Sequence, residues 1–466
     1  MPPVAPHDAL AALWRGLALA PEALERVSLT GQDPVLPSSF ALGTAAQASI
    51  AAAALAAAEL GRARGGPAQR VSVDMRHAAT EFHSEHWLRI GESARGDTWD
   101  RIAGTYRCGD GRWVRLHTNF PHHRDGMLKL LGCAYERESA AAALRNWRAF
   151  DLEAEAAAAG LCATAMRSFA EWDAHPQGRA IAAQPVVALT RIGDAPPRRR
   201  AAAARPLGDL RVLELTRVIA GPVCGRTLAA HGADVLLATS PRLPSFEQLV
   251  VDTGRGKLST HVDLRAPGGA ETLAGLLREA DVFVQGYRPG GLAGLGFAPA
   301  DTARLAPGII HVSLSAYGGR AGPWAGRRGF DSLVQTASGF NHAEAVAAGD
   351  PSRPKPLPVQ ALDHGSGHLL AFGTLAALQR QMREGGSWHV EVSLARTGQW
   401  IRSLGRVENG LACAAPTRET IADLLEDSDS GFGRLSAVRH AAQLSDTPPG
   451  WTRPSVPLGT HPPRWP

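Results

Sequence analysis

The stretch that decides the fold is RVLELTRVIAGPVCGRTLAAHGADVLLA, residues 211–238. It begins with an apolar run at 211–215, continues through a turn into a helix-like segment that ends at Gly232, and closes with a second apolar run at 234–238. An apolar run, a helix and a second apolar run in this order predict a β-α-β unit with two parallel strands.

Further strand-like runs follow at 280–284 (ADVFV) and 308–314 (GIIHVSL), with helix-period segments between them. Alternating strands and helices predict an α/β fold whose parallel sheet is covered on both faces. The first turn of the β-α-β unit reads TRVIAGP and has a single glycine. It lacks the G-x-G-x-x-G glycines that let a dinucleotide pyrophosphate approach a helix start. An NAD or FAD enzyme is therefore disfavoured.

Length and composition restrict the class of protein. A chain of 466 residues exceeds one compact core, so we expect two or three domains. The net charge of +5 comes mainly from dispersed arginine, which disfavours a nucleic-acid partner and suits an anionic small substrate. We see no long apolar stretch and no basic N-terminal region, and the five cysteines are scattered. The sequence thus predicts no membrane span, no signal peptide and a cytoplasmic location.

Two parts of the chain also resemble each other. Residues 40–75 track residues 360–394: each has a helix-length alanine- and leucine-rich segment, then A-R-G-G or R-E-G-G, then an alternating strand. Later D-x-P-P and P-L-G pieces recur in the same order in both halves. We interpret this as an internal repeat. Convergence of alanine-rich and turn-rich sequence is the alternative.

The first half carries a surplus segment, about 96–165, that predicts a small domain. Its GTYRCGDGRWVRLHTNF sequence indicates a hairpin, because G-D-G is a turn between two strand-like runs. The segment contains His117, His122 and His123, which suggest a metal site, but they lack the spacing to a carboxylate or thiolate that metal sites show. A surface loop with local hydrogen bonds is the preferred interpretation of the three histidines.

The strongest candidate for chemistry is Asp363, within PLPVQALDHGSGHLLAFGTLAAL, residues 356–378. One interpretation is an N-cap, since Asp accepts hydrogen bonds from free amides at a helix start. The other is a nucleophile, which the amides and the helix dipole would keep ionised while the glycines leave room for a thioester. The repeat has Gly43 at this position. A helix start that tolerates glycine does not need Asp for folding, so a single nucleophile is predicted.

The sequence around these features resembles the family III CoA-transferases, which include formyl-CoA and carnitine CoA-transferases. Residues 206–407 are similar to the front half of that family and residues 38–195 to its back part, including a small domain. A short second back piece follows residue 407, so the order of the pieces is unusual. The similar blocks are PLGDLRVLELTRVIAGP, HGADVLL, GRGKLSTHVDL, ADVFVQGYRPGGLAGLGF, SAYGGRAGPWAGRRGFDSLVQTASGF, ALDHGSGHLLAFGTLAALQR and GGSWHVEVSLA.

The resemblance implies a doubly wound, Rossmann-like parallel sheet with a smaller inserted α+β domain. It also implies that Asp363 attacks an acyl-CoA thioester, that an anhydride and then an aspartyl-CoA thioester form, and that a small carboxylic acid accepts CoA. Coenzyme A thioester is then a substrate, with no tightly bound cofactor and no metal. A homodimer is expected. The domain bounds that follow are 1–95, 96–165, 166–205 with the linker, and 206–466 for the core.

The CoA contacts implied by the resemblance lie at seven positions. They are Val218, Ile219, Ala220, Gly286, Tyr287, Arg288 and Arg328. Two departures from the family concern Ile219, where some transferases have a polar side chain, and Thr239, which replaces an acidic residue at the second strand end. For Arg328 the alternative is a solvated arginine beside Arg327.

Two other functions are considered. An α-methylacyl-CoA racemase needs a second acid or base facing the aspartate, and its relatives have a histidine where this chain has Phe330 in Gly-Phe-Asp. Phenylalanine cannot carry a proton, and His364 is the local substitute. The second alternative is a CoA-binding protein that has lost its catalytic activity. The first copy lacks the nucleophile because it has Gly43 at this position, which favours this alternative, whereas the intact region around Asp363 argues against it.

Overall fold

The computed structural model describes residues 2–91, 99–320 and 322–466. The strands are β1 (Val27–Thr30), β2 (Val71–Asp74), β3 (Arg89–Ile90), β4 (Gly104–Arg107), β5 (Trp113–Leu116), β6 (Ala163–Ala165), β7 (Ala188–Gly193), β8 (Arg211–Leu215), β9 (Asp234–Thr239), β10 (Lys257–His261), β11 (Val282–Gln285), β12 (Ile310–Ser315), β13 (Ser387–Ser393), β14 (Leu425–Ser428), β15 (Leu435–Val438) and β16 (Ala442–Leu444). The α-helices are α1 (Pro6–Gly16), α2 (Leu42–Ala63), α3 (Met75–Glu81), α4 (Ser84–Trp87), α5 (Pro121–Leu131), α6 (Arg137–Leu144), α7 (Ala149–Ala158), α8 (Phe169–Ala174), α9 (Pro176–Ala182), α10 (Ala220–Ala230), α11 (Glu247–Thr253), α12 (Gly269–Arg278), α13 (Pro299–Leu305), α14 (Asp331–Ala337), α15 (Phe340–Ala347), α16 (Ala361–Glu384) and α17 (Leu394–Ser403).

The largest sheet has seven strands in the order β10-β9-β8-β11-β12-β13-β7. Its neighbours are parallel except β7, which runs antiparallel to β13. The predicted β-α-β unit is confirmed as β8, α10 and β9, and both strands begin where the sequence placed them. The strand order reverses between β8 and β11. A crevice is expected at the carboxyl ends of strands on either side of such a reversal, because the connections leave in opposite directions.

The two segments that resemble each other each fold as a long helix, a strand and a second helix. The first gives α2, β2 and α3, and the second gives α16, β13 and α17. Helices α2 and α16 pack against each other, and every residue of α2 from Leu42 to Leu60 is buried. Alanine dominates this buried surface, and small side chains let two helices approach closely. The first part of the chain thus shares one hydrophobic core with the second.

Residues 99–165 have a hydrophobic cluster of their own, built from side chains between Ile102 and Ala165. Strands β4, β5 and β6 form an antiparallel sheet here, and the predicted hairpin is confirmed as β4 and β5. The start of the predicted small domain at residue 96 lies outside the described residues. The domain bounds therefore stay predictions.

The predicted linker joins β7 to β8 without regular strands or helices, and it is bound to the protein through arginines. The Arg64 guanidinium donates hydrogen bonds to the carbonyls of Ala201, Pro206 and Gly208. Within the linker, Arg200 forms an ion pair with Asp281 at the start of β11. All five cysteines are free. Among the described residues, no helix combines the length and apolar character needed to cross a bilayer.

Candidate active site

Asp363 is the third residue of α16, and a second acidic residue accepts hydrogen bonds from its backbone amide and from that of Leu362. Oδ2 of Asp331 accepts hydrogen bonds from the amides of Leu362 at 2.8 Å and Asp363 at 2.9 Å. The N-cap position belongs to Gln360, which makes no side-chain cap. The N-cap interpretation of Asp363 is therefore wrong: Asp331, at the start of α14, satisfies the helix amides and leaves the Asp363 carboxyl available.

The same arrangement occurs at α2, where a distant acid also caps the helix. Oδ1 of Asp33 accepts from the amide of Gly43 at 3.0 Å, and Oδ2 accepts from Thr44 at 2.9 Å. At both helix starts the cap comes from elsewhere in the chain. Neither Gly43 nor Asp363 is needed for capping, which agrees with the argument from the repeat.

Gly43→Ala is expected to lower the free energy of unfolding by about 1–3 kcal/mol, the usual cost of overpacking. An added Cβ would lie 2.4 Å from Oδ1 of Asp33, 2.6 Å from Cγ2 of Val35 and 2.7 Å from Sδ of Met75. Urea unfolding checks this. The matched control is Gly275→Ala in α12, where a Cβ meets no atom within 4 Å and a small stabilisation is expected. Equal stability of the two variants would contradict the overpacking argument.

Burial decides the ionisation of Asp363, whose exposed fraction is 7%. Burial raises the pKa of its carboxyl well above the ordinary value, and the charges of Asp331 and Glu85 raise it further. Burial likewise raises the pKa of Asp331 to about 6, against the lowering effect of its hydrogen bonds. The expectation that amides and the helix dipole keep Asp363 ionised is therefore wrong, because Asp331 takes the amides and desolvation outweighs the dipole.

A buried pair from the two halves of the chain lies next to Asp363. Nε2 of His364 donates to Oε2 of Glu85 at 2.9 Å, and the ring of Phe82 stacks on the imidazole at 5.7 Å. Burial alone would raise the pKa of Glu85, but the interaction with His364 lowers it to about 2. Glu85 lies in α4, so the first half of the chain supplies one side of the site.

The first turns of α16 contact the first turn of α10. A Cβ on Gly367 would lie 2.7 Å from the carbonyl oxygen of Ala220 and 2.7 Å from Val223. Asp363 and Gly367 are four residues apart on α16 and therefore share one helix face. The Asp363 face of α16 thus lies toward the first turn of α10, which directly follows Val218 and Ile219. Val218 has a left-handed backbone conformation with φ of 73°.

A cavity of about 510 Å³, part of it open to solvent, lies at this turn and at the carboxyl ends of β8, β9 and β11. It is lined by Phe120, Thr216, Arg217, Val218, Pro222, Leu237, Thr239, Ser240, Leu243, Ser245, Phe246, Leu249, Val250, Thr253, Tyr287 and Leu458. The site is on the side of the sheet where the strand order predicts a crevice. Asp363 itself is not among the lining residues.

Six of the seven predicted CoA contacts divide into three groups. Val218 and Tyr287 line the cavity, and the departure at Thr239 lies in its wall. Ile219 is the N-cap residue of α10 and Ala220 its first residue, so both adjoin the cavity. Gly286 follows the end of β11 directly and is exposed, as is Arg288.

Arg328 binds the small domain. Its Nη1 donates to the carbonyl of Gly160 at 2.9 Å and contacts Nε2 of His123 at 3.1 Å. The solvated alternative is wrong, because the side chain is partly buried and hydrogen-bonded. The contacts join the segment before α14 to the loop after α7.

Residues of the 99–165 segment cover the other side of Asp331. The imidazole of His117 stacks on Phe330 with ring centroids 3.8 Å apart, and Phe120 lies 5.9 Å from the same ring. His117 and His123 are buried, so the surface-loop interpretation is wrong for these two histidines, and only His122 is exposed. Burial, with Arg115 nearby, lowers the pKa of His117 to about 3. Among the described residues, no group of three or more potential ligands is placed to hold a metal ion.

The sequence model described as CoA-transferase family III matches residues 23–203 and 207–412. The chain belongs to CoA-transferase family III. The family match breaks only within the linker before β8, so both the part that carries Glu85 and the part that carries Asp363 fall inside it.

Individual members of family III match shorter stretches. The probable fatty acyl-CoA transferase Rv3272 of Mycobacterium tuberculosis is 33% identical over 204 residues, which cover 41% of this chain and 51% of the relative. The succinate–glutarate CoA-transferase of Agrobacterium fabrum is 33% identical over 207 residues, covering 41% and 51%. A crystal structure of Rv3272 is 33% identical, covers 43% of this chain and 57% of its own, and has a TM-score of 0.40. The chain spans about half the length of the curated relatives it matches.

Three functional candidates were missed by the sequence argument. Asp331 follows Phe330 in the Gly-Phe-Asp stretch, and the sequence alone assigned it no role. Glu85 is 279 residues from His364 and shares no motif with it. Arg115 lies in the hairpin sequence and has no local signature. The presence of an acidic residue within a family motif was a usable signal for Asp331. Glu85 and Arg115 have no such signal, because only tertiary packing relates them to α14 and α16.

Proposed function

We propose that this chain transfers coenzyme A from an acyl-CoA to a carboxylic acid, with Asp363 as the nucleophile. The observation that carries the proposal is that the Asp363 carboxyl does not cap α16, because Asp331 accepts the hydrogen bonds of the amides at the helix start. The face of α16 that carries Asp363 lies toward the first turn of α10, and the turn before α10 lines a cavity. Membership of family III and the names of the relatives support the same reaction class.

The chemistry proceeds through three covalent intermediates, which are two anhydrides with a thioester between them. The Asp363 carboxylate attacks the thioester carbon, the C–S bond breaks, and CoA leaves as thiolate from a mixed anhydride. The thiolate then attacks the aspartyl carbon, which releases the donor acid and leaves an aspartyl-CoA thioester. The acceptor carboxylate attacks that thioester to give a second anhydride and thiolate, and thiolate attack on the acceptor carbon yields the new acyl-CoA and restores Asp363.

The environment of Asp363 suits these steps. A carboxylate with a raised pKa is more basic, and hence more nucleophilic, than one in water. Burial excludes water, which would otherwise hydrolyse the anhydride. Because each step exchanges one acyl bond for another of similar energy, positioning of the reacting groups accounts for most of the catalysis.

A screen of acyl-CoA donors against mixed carboxylic acids tests the proposal. Intact-mass spectrometry should detect an acylated or CoA-linked chain, and hydroxylamine should trap the activated carboxyl. Donor acids released without acceptor consumption would indicate a thioesterase instead. If the chain stays unmodified with every donor class and no acyl-CoA is formed, the decayed CoA-binding alternative replaces the transferase.

Covalent labelling of Asp363 is expected to rise with pH. The nucleophile is the ionised carboxylate, and its pKa is raised by burial and by Asp331, so the reactive fraction falls as pH drops through the raised value. In Asp331→Asn the neighbouring charge is gone while an amide oxygen still accepts from the helix, so the inflection should move to lower pH. Single-turnover labelling between about pH 5 and 8 measures this. A profile that does not move in the variant contradicts coupling between the two acids.

Racemisation at the α-carbon is less well supported. The base it needs would face Asp363, but Phe330 occupies that position and the His117 that stacks on it has a pKa lowered to about 3 by burial. His364, the local substitute, already donates a hydrogen bond from Nε2 to Glu85. Deuterium incorporation from solvent into a 2-methylacyl-CoA, with no acceptor acid present, would favour the racemase.

The remaining parts of the proposal rest on resemblance to family III. The strand order with its reversal between β8 and β11 supports a doubly wound, Rossmann-like sheet. We propose a cytoplasmic homodimer whose substrates are an acyl-CoA and a small carboxylic acid. Sedimentation of the purified chain measures its oligomeric state.

A further inference from the structure

Five arginines are buried in the described residues, and four of them have protein acceptors. Arg167 is paired with Glu153 at 2.5 Å, while Arg226 and Arg255 share Asp252 at 2.7 and 3.2 Å. Arg64 donates to three linker carbonyls. The fifth is Arg115.

Arg115 has no acceptor among residues 2–91, 99–320 and 322–466. Its exposed fraction is 9%, its Nε is buried without a hydrogen-bond partner, and it forms no ion pair there. Its guanidinium carbon lies 4.9 Å from the centroid of the Trp99 ring. A buried charge without a partner is strongly destabilising, so its retention points to an anion that arrives from outside.

Strand geometry directs Arg115 to the active site. Arg115 lies in β5, and His117 directly follows its last residue and donates its amide to the carbonyl of Cys162, so the two side chains, two residues apart, point to the same face of the sheet. On that face His117 stacks on Phe330, the residue before Asp331, and β5 packs against α14. The electrostatic effect of Asp331 on Arg115 is consistent with this placement: burial lowers the pKa of Arg115 to about 10, and the Asp331 charge opposes the change.

Asp331 is not free to pair with Arg115. Its Oδ1 accepts from Nε2 of Gln335, and its Oδ2 accepts from the two amides at the start of α16. Arg115 lies on the face of β5 that meets Phe330 and α14, whereas Asp363 lies in the first turn of α16. A carboxylate bound to the guanidinium would stand apart from one that reacts at Asp363.

We propose that Arg115 binds the non-reacting carboxylate of a dicarboxylic acid whose other carboxyl group reacts at Asp363. A guanidinium presents two parallel N–H donors that match a carboxylate, which suits this role better than a point charge. The inference rests on the proposed CoA transfer, since that reaction supplies the acid. The carboxylate comes either from the acceptor acid or from the far end of the donor acyl group.

The test uses the full chain with matched substrates of equal length: glutarate or valerate as acceptor, and succinyl-CoA or butyryl-CoA as donor. Arg115→Met is expected to raise KM for glutarate by about 10- to 100-fold, the loss of a bidentate charged hydrogen bond, and to leave KM for valerate unchanged. Arg115→Lys, which keeps the charge and loses the fork, should fall between. Arg112→Met is the control, because Arg112 is an exposed arginine of the same hairpin that pairs with Glu171.

The two sources of the carboxylate give different patterns. A loss confined to glutarate as acceptor assigns Arg115 to the acceptor acid. A loss of Asp363 labelling by succinyl-CoA, with labelling by butyryl-CoA unchanged, assigns it to the donor acyl group. Equal losses for the dicarboxylic and monocarboxylic substrates, or no loss with any of them, would overturn the proposal.

Calorimetric binding of glutarate separates this inference from the proposed function. If the wild type transfers no CoA but binds glutarate, and Arg115→Met does not, the carboxylate site stands and the transferase proposal fails. If the wild type transfers CoA but binds glutarate no more tightly than Arg115→Met does, the carboxylate site fails and the transferase proposal stands. Because Arg115 has no acceptor in the part of the chain that the structure describes, its replacement by Met should not lower the melting temperature.

Discussion

Asp363→Asn is expected to abolish covalent labelling by acyl-CoA and to lower CoA transfer by at least about 10³-fold. The asparagine amide has the shape of the carboxyl but cannot attack a thioester. The backbone amide of residue 363 keeps its hydrogen bond to Asp331, so α16 should begin as it does in the wild type. Intact-mass spectrometry after mixing with the active donor measures labelling, and release of the new acyl-CoA measures transfer.

Stability distinguishes loss of the nucleophile from loss of the fold. Removal of a buried carboxyl with a raised pKa takes away a group that is costly to ionise, so Asp363→Asn should unfold at a urea concentration no lower than the wild type. Asp350→Asn is the matched control, since Asp350 is exposed and its carboxylate accepts hydrogen bonds from the neighbouring Ser352. Labelling that survives in Asp363→Asn would remove this residue from the mechanism.

The fold could be predicted where local patterns and chain order determine it. The apolar runs at 211–215 and 234–238 became β8 and β9 with the same first residues, because strands buried on both faces leave continuous apolar sequence. The next predicted strand was placed two residues too early, since Ala280 and Asp281 precede β11. Asp281 pairs with linker arginines there, an arrangement that apolar patterning does not record.

The candidate site could be predicted only in part. The glycine-rich surroundings and the family motif identified Asp363, but the state of its carboxyl depends on groups that approach through tertiary packing. Asp331 takes the helix amides from 32 residues away, and Glu85 reaches His364 across 279 residues. No periodicity relates such positions. The expected ionised carboxylate therefore became a buried one with a raised pKa.

Lys257→Met is expected to lower the free energy of unfolding by about 3–5 kcal/mol, the usual cost of leaving one member of a buried ion pair without its partner. Nζ of Lys257 lies 2.7 Å from Oε2 of Glu214, and both side chains are almost completely buried. The ammonium also donates to the carbonyl of Pro222 at 2.8 Å. Urea unfolding measures the loss, and Lys129→Met on the exposed face of α5 is the control, with an expected change within about 0.5 kcal/mol.

The double variant Lys257→Met with Glu214→Gln should recover most of that stability, because the uncompensated charge is removed while an amide oxygen still accepts from Oγ1 of Thr216. The pair joins β8 and β10 to the start of α10, and Thr216 and Pro222 both line the cavity. CoA affinity should therefore fall in the single variant and return in the double variant along with stability. If CoA affinity stays low in the double variant after stability has recovered, the Lys257 charge acts on CoA directly. If stability does not recover, packing of the Lys257 side chain rather than its charge maintains this part of the fold.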